Sequence, residues 1–271
     1  MIFSAVFTSL MYSVVKYLNH FSVYQIIFFR SLGTLIFSIP FVYFMKVSFV
    51  GRNNLLLIMR AFVGLISMIF FFESIKFLDL GIAVSIRYSS PIFATLLAFF
   101  FLKEKFKFSS WIILFSGLAG IFIIKDFVFD INLMGLFYAL ISSIFLGVVF
   151  VITSKIGNSE NTFTIINYFM IVSLIFTGFI SYNDWINPSI IELLLLLFSG
   201  MLGFVGLLFL TKAFQNEKVN IISPIKYLEV VFSVLIGIFW FEETYTLWGL
   251  IGIFLILTGL LLRFFQDKIV Q

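Results

Sequence analysis

The chain contains no cysteine and a single histidine, His20. Disulfides and thiolate-bound metals are therefore excluded. No His/Asp/Glu cluster has metal-ligand spacing, so neither a metal nor a cofactor is expected. A glycine-rich phosphate loop is also missing, and an ATP-driven pump would need a partner chain to supply one. No filter or charged-ring motif of a channel is visible. Charged residues are scarce, at 11% of the sequence, against about 25% in ordinary soluble domains. A water-soluble fold of this length would lack the polar side chains to cover its surface.

What the chain has instead is apolar length. Hydrophobic residues make up 62% of it, 41 of them phenylalanine, and mean hydropathy is +1.18. Spanning helices need about 20 apolar residues each and satisfy their own backbone hydrogen bonds. Apolar runs broken by charged, Asn, Gly or Pro residues predict ten helices, near 2–18, 21–45, 54–75, 79–102, 107–125, 132–154, 162–181, 190–214, 218–241 and 245–265. The first run has no basic n-region and no small-residue cleavage site, so it reads as a span rather than a cleaved signal. The class is an all-α membrane protein, multi-pass in the cytoplasmic membrane. Its formal net charge of +4 needs no nucleic-acid partner, because Lys and Arg gather in cytoplasmic loops.

With the amino terminus inside, Lys46, Arg52, Arg60, Lys103, Lys105, Lys107, Lys155, Lys212, Lys218, Arg263 and Lys268 fall on the inner side. Only Lys16, Lys76 and Lys125 fall outside. Both termini are thus expected in the cytoplasm. Three basic residues, Arg30, Arg87 and Lys226, lie within spans.

A repeat accompanies the cations. Arg87-Tyr88 recurs as Lys226-Tyr227, and Glu104 as Glu243, each displaced by 139 residues (87 to 226, 104 to 243). Lys16/Lys155, Gly64/Gly203 and Gly120/Gly259 share that displacement. Ten helices in two halves means five each. An odd number forces the second copy to enter from the opposite face. The expected organisation is two inverted five-helix repeats, 1–131 and 132–271. Inverted repeats mark secondary transporters, with the solute site near the midplane between the halves.

The ten spans, the five-helix repeat and the apolar runs Pro91 to Glu104 and Tyr227-Leu228-Glu229 to Glu243 resemble the EamA branch of the drug/metabolite transporter superfamily. Phe28-Phe29-Arg30 fits the family's habit of an arginine in the second span. Val15-Lys16-Tyr17-Leu18, Ile39-Pro40-Phe41-Val42 and Lys226-Tyr227-Leu228-Glu229 are most similar to S-adenosylmethionine uptake carriers within it. The resemblance implies alternating-access transport of a small metabolite.

A charge at the bilayer centre costs about 2.5–3.5 kcal/mol on insertion scales, and Arg30, Arg87, Lys226 and Glu229 each carry that cost. Arg87 and Lys226 lie about eight residues from their span ends, roughly 12 Å deep. Together with Tyr88 and Tyr227, these four are the candidate substrate-binding residues. The tyrosines can stack on a planar ligand and donate a hydrogen bond. Pro91 and Pro224 leave the carbonyls of Arg87 and Asn220 without their helical partners. Arg87 has no acid within one turn and is the best candidate for holding a carboxylate or phosphate. Lys226 and Glu229, three apart, can instead neutralise each other. Glu229 can also carry a coupling proton, with exchange or facilitated diffusion equally open. Glu73 and Lys76 read as a solvated pair, and Glu104 and Glu243 as helix-end carboxylates.

The expected solute is zwitterionic or anionic, such as an amino acid or S-adenosylmethionine. An integral-membrane enzyme or accessory subunit on the same bundle is the competing reading. Oligomeric state is not legible.

Overall fold

In the computed structural model, residues 1–103, 119, 132–182, 184–243 and 251 are described. They form helices joined by short turns, with no strand among the described residues. The helices are α1 (Ile2–Tyr17), α2 (Val23–Phe44), α3 (Asn54–Phe77), α4 (Leu80–Arg87), α5 (Ser90–Leu102), α6 (Leu133–Ile156), α7 (Thr162–Ser181), α8 (Ile190–Asn216), α9 (Val219–Ile222) and α10 (Leu228–Phe241). A 3₁₀ turn, Ser223–Tyr227, joins the last two. Eight of the ten expected spans fall on these elements. The expected spans at 107–125 and 245–265 lie outside the described residues, as do Glu104, Gly120 and Gly259. Among the described residues, six stretches have the length and composition to cross a membrane: α2, α3, α4 with α5, α6 with the turn that follows it, α7 and α8.

The short polar breaks set the helix starts. Ser22 accepts from the Gln25 amide, Asn53 from Leu56, Asn132 from Met134 and Gly135, and Asn161 from Phe163. Ser189 and Glu192 form a reciprocal capping box at α8. Each cap satisfies amides that a helix otherwise leaves open at its first turn. At the other end, α5 and α10 stop on non-glycine residues in the left-handed region, Lys103 at φ 53° and Glu242 at φ 54°. These two terminators are themselves 139 residues apart.

Two expected spans are interrupted rather than continuous. Pro91 opens α5 and has no N–H, so it cannot close the helical bond back to Arg87. The chain turns there through short i→i+3 bonds, Ser89 to the Ile86 carbonyl and Ile92 to the Ser89 carbonyl, both 3.0 Å. Pro224 sits near the start of the 3₁₀ turn before α10, two residues ahead of Lys226 rather than four behind it as Pro91 is to Arg87. Arg87, Pro91 and Ala94 therefore do not share one uninterrupted helix face, and Lys226 sits in a 3₁₀ turn.

Around these breaks, α1 packs on α8 and α10, and α6 packs on α3 and on α4 with α5. At the centre, α2 meets α7 and α8 while α3 meets α7. The α2–α8 contact is backbone on backbone: a Cβ on Gly200 would lie 2.5 Å from the Arg30 carbonyl oxygen and 2.6 Å from the Thr34 nitrogen. Thr34 Oγ1 donates to the Gly200 carbonyl at 2.8 Å. Between α3 and α6, Ser67 and Ser142 each donate to the other's carbonyl, at 2.9 and 2.8 Å. Small residues and interhelical hydroxyl bonds are how helices associate where burial of apolar surface gives no net drive. The outward faces carry exposed phenylalanines such as Phe100, Phe179 and Phe239, which suit contact with lipid.

Candidate functional site

The two helix breaks open toward one narrow cavity of about 60 Å³. Its wall includes Tyr12 of α1, Arg30 of α2, Arg60 and Met68 of α3, Arg87 and Tyr88 at the first break, Phe169 of α7, Gly203 of α8, and Lys226 at the second break. Four cationic side chains thus meet in a space walled by apolar and aromatic groups.

Arg87 is buried, with its guanidinium 3.9 Å from the Phe71 ring centroid and 5.5 Å from that of Tyr12. Its Nη1 donates to the Tyr12 hydroxyl at 2.5 Å, while Nε has no partner. Arg30 Nη1 lies 2.6 Å from Met68 Sδ, and its Nε is also without a partner. A Cβ on Gly203 would come within 3.0 Å of Arg30 Nε and Nη2, so the glycine makes room for the guanidinium. Stacking on rings and sulfur softens the burial of these cations but does not neutralise them.

Lys226 is paired with Glu229 three residues on, and both are buried. Its Nζ also lies 5.7 Å from the Tyr88 ring centroid. The Tyr88 hydroxyl has no hydrogen-bond partner. Of the six residues expected from the sequence, Arg30, Arg87, Tyr88 and Lys226 line the cavity. Tyr227 and Glu229 do not; both are buried, and α1 packs on α10 there, with Ser9 Oγ donating to the Glu229 carbonyl at 3.2 Å. Tyr88 thus borders the cavity, whereas Tyr227, 139 residues on, does not.

Arg60 is the residue the sequence reading misplaced. Counted among the inner-loop cations, it is 2% exposed inside α3. Its guanidinium lies 4.7 Å from the Phe169 ring centroid, and Nε and Nη1 have no partner. The signal that would have found it is the face it shares with Gly64, Ser67 and Met68 at helical spacing, small or polar residues that all reach the cavity. Tyr12 and Met68 were missed for want of any charge. Glu73 and Lys76, expected as a solvated pair, form no ion pair: Glu73 is half-buried and Lys76 exposed. Glu243 does meet a helix start, but that of α4, where it accepts from the Leu80 amide at 3.1 Å.

Comparison with known proteins places this architecture. The EamA-like transporter family matches residues 1–125 and again 133–265. Human solute carrier family 35 member G1 is 30% identical over 244 residues, which is 83% of this chain and 66% of that one. This chain thus spans about two thirds of the human relative's length. A Rickettsia bellii S-adenosylmethionine uptake transporter is 27% identical, covering 90% of this chain and 84% of its own. The pseudopaline exporter CntI of Pseudomonas aeruginosa is 27% identical, covering 80% and 78%. A crystal structure 15% identical in sequence superposes with a TM-score of 0.77 over 95% of this chain and 92% of the other, which shows the fold. With membrane-length helices and two successive family matches over nearly its whole length, this multi-pass membrane protein belongs to the EamA-like transporter family.

Proposed function

We propose that the protein carries a small organic metabolite bearing a carboxylate or comparable anionic group across the cytoplasmic membrane by alternating access. The observation that carries this is the convergence of Arg30, Arg60 and Arg87, from α2, α3 and the first helix break, on one cavity. Arginine presents a planar fork that matches a carboxylate bidentately. Tyr88 offers an unpartnered hydroxyl beside it.

The finer architecture belongs to the same proposal: ten spans, in two inverted repeats of 1–131 and 132–271, with both termini cytoplasmic. The packing supports it. If α1, α2, α3 and α4–α5 correspond to α6, α7, α8 and α9–α10, then α1 on α8 answers α6 on α3, and α1 on α10 answers α6 on α4 and α5. The matched breaks and left-handed terminators at the 139-residue displacement support it too. At about 60 Å³ the cavity holds a few waters but not a metabolite. Loading therefore requires the halves to part, which is what alternating access supplies.

The test is counterflow of labelled amino acids, S-adenosylmethionine and organic acids in proteoliposomes holding the purified chain. Uptake that disappears in Arg87→Gln supports the carrier. No uptake across the panel, with product formed from a lipid substrate, would instead favour an enzyme on the same bundle.

A further inference from the structure

The charges in the cavity do not balance, and the imbalance specifies the solute. Lys226 is consumed by Glu229, so that pair contributes no net charge. Arg30, Arg60 and Arg87 remain. No carboxylate lies within ion-pair distance of any of the three among the described residues. All three are more than nine-tenths buried, and each has at least one N–H without a partner. Buried cations without a counter-charge are costly, and a protein retains them where a ligand completes them.

Their placement adds a length scale. Arg30 reaches Met68 on α3, whereas Arg60 leaves the same helix eight residues earlier, about 12 Å along its axis. The two guanidiniums therefore rest on different parts of the cavity wall, Arg30 on Met68 and Arg60 on Phe169. The repeat places them at matched positions. Arg30 is seated against Gly203, and Phe169, its counterpart at the 139-residue displacement, is seated against Gly64, the counterpart of Gly203. On Phe169 lies Arg60. A guanidinium thus stands at each of the two equivalent places, and both come from the first half, Arg30 from α2 and Arg60 from α3.

From this arrangement we infer that the solute is an organic anion carrying at least two negative groups, with Arg60 holding one and Arg30 with Arg87 the other. The inference rests on the carrier site proposed above. A zwitterion would bring its own cation into a space that already has three unneutralised ones, and a monoanion would leave Arg60 or the Arg30–Arg87 pair unanswered.

The test uses the full chain in detergent, with thermal stability followed at constant ionic strength against butyrate, 4-aminobutyrate, succinate and glycerol 3-phosphate. Either dianion is expected to reach half-maximal stabilisation at a concentration at least tenfold below butyrate and 4-aminobutyrate. Arg60→Gln should abolish that preference while raising the stability of the ligand-free protein, because an uncompensated cation is removed. A purely structural Arg60 would give the opposite change in the ligand-free protein. Arg52→Gln, at an exposed loop arginine, should leave the preference intact. Stabilisation by butyrate or 4-aminobutyrate equal to that by both dianions, and lost in Arg87→Gln, overturns the dianion inference but leaves the carrier site standing. If none of the four stabilises the protein, the site itself is wrong.

Discussion

Lys16 and Glu243, 227 residues apart in the chain, meet with Nζ 2.5 Å from Oε1. The same carboxylate oxygen accepts from the Leu80 amide at 3.1 Å, and Asp79 stands 3.9 Å from Lys16. One ion pair thereby ties the end of α1, the start of α4 and the exit of α10 together at one end of the bundle. Side-chain exposures of 16% and 8% put it between a surface pair and a buried one. Its loss should cost roughly 1–3 kcal/mol. If this contact holds that end closed, Glu243→Gln should shift the population toward opening by about tenfold per 1.4 kcal/mol. The absence of native cysteine makes the measurement clean. A single cysteine replacing Met11, which lines the cavity, should react about tenfold faster with impermeant maleimide from the Lys16 side. An unchanged rate would mean that the pair is not a closing contact.

Arg87 makes a second prediction possible because its surroundings are chosen for a guanidinium. Phe71 lies flat-on at 3.9 Å and the Tyr12 hydroxyl accepts from Nη1. An ammonium keeps the charge but loses both the stacking and the bidentate fork. Charge-assisted hydrogen bonds are worth about 1.5–3 kcal/mol, so Arg87→Gln should weaken solute binding by roughly 10–100-fold. Arg87→Lys should recover only a small part of that in calorimetric titration. Full recovery by lysine would reduce the role of Arg87 to that of a point charge.

How much of this was legible in the sequence follows from what makes each residue conspicuous. Arg87 and Lys226 stand out because a cation in a long apolar run has a known cost, and their common displacement exposes the repeat. Prolines 91 and 224 point to the positions of the breaks, although not to the 3₁₀ geometry that sets Lys226 apart from a regular helix face. Arg60 was hidden by its position six residues into a span, where a snorkelling arginine is ordinary. Only tertiary packing, with Phe169 closing over it, turns it into a cavity residue. That Tyr227 and Glu229 do not line the cavity was equally illegible, since it depends on how α1 packs across α10.

The Lys226–Glu229 pair should respond to substitution as a unit. Both side chains are buried, at 3% and 0% exposure, so removing one leaves a charge without its partner. Breaking a buried pair typically costs about 3–5 kcal/mol, whereas replacing both members with apolar groups is often neutral. Glu229→Leu alone should therefore lower the melting temperature sharply, and Lys226→Met with Glu229→Leu should restore it. Because the pair carries no net charge, the double variant should retain solute affinity within about threefold, well under 1.4 kcal/mol. A double variant that is stable but inactive in transport would instead assign the pair to proton coupling.

Two glycines of α8, three residues apart, separate packing from function. A Cβ at Gly200 would press on the Arg30 carbonyl oxygen and the Thr34 nitrogen, both backbone atoms of α2 that cannot yield without moving the helix. Gly200→Ala should thus act as overpacking, at about 1–3 kcal/mol, and lower the melting temperature whether or not solute is present. At Gly203 the added methyl would meet the Arg30 guanidinium at 3.0 Å, the far end of a flexible side chain. That group can shift by a few tenths of an ångström at little cost in folding. Gly203→Ala should accordingly leave stability almost unchanged while weakening solute binding, because Arg30 is displaced from the position it shares with Met68. Gly64→Ala, whose methyl would press on the Phe169 ring at 3.1 Å, should behave as Gly203→Ala does, through Arg60. Melting temperature and binding affinity measured on the three variants decide the matter. If Gly203→Ala destabilises the protein as much as Gly200→Ala, Arg30 is held by the fold rather than poised for a ligand.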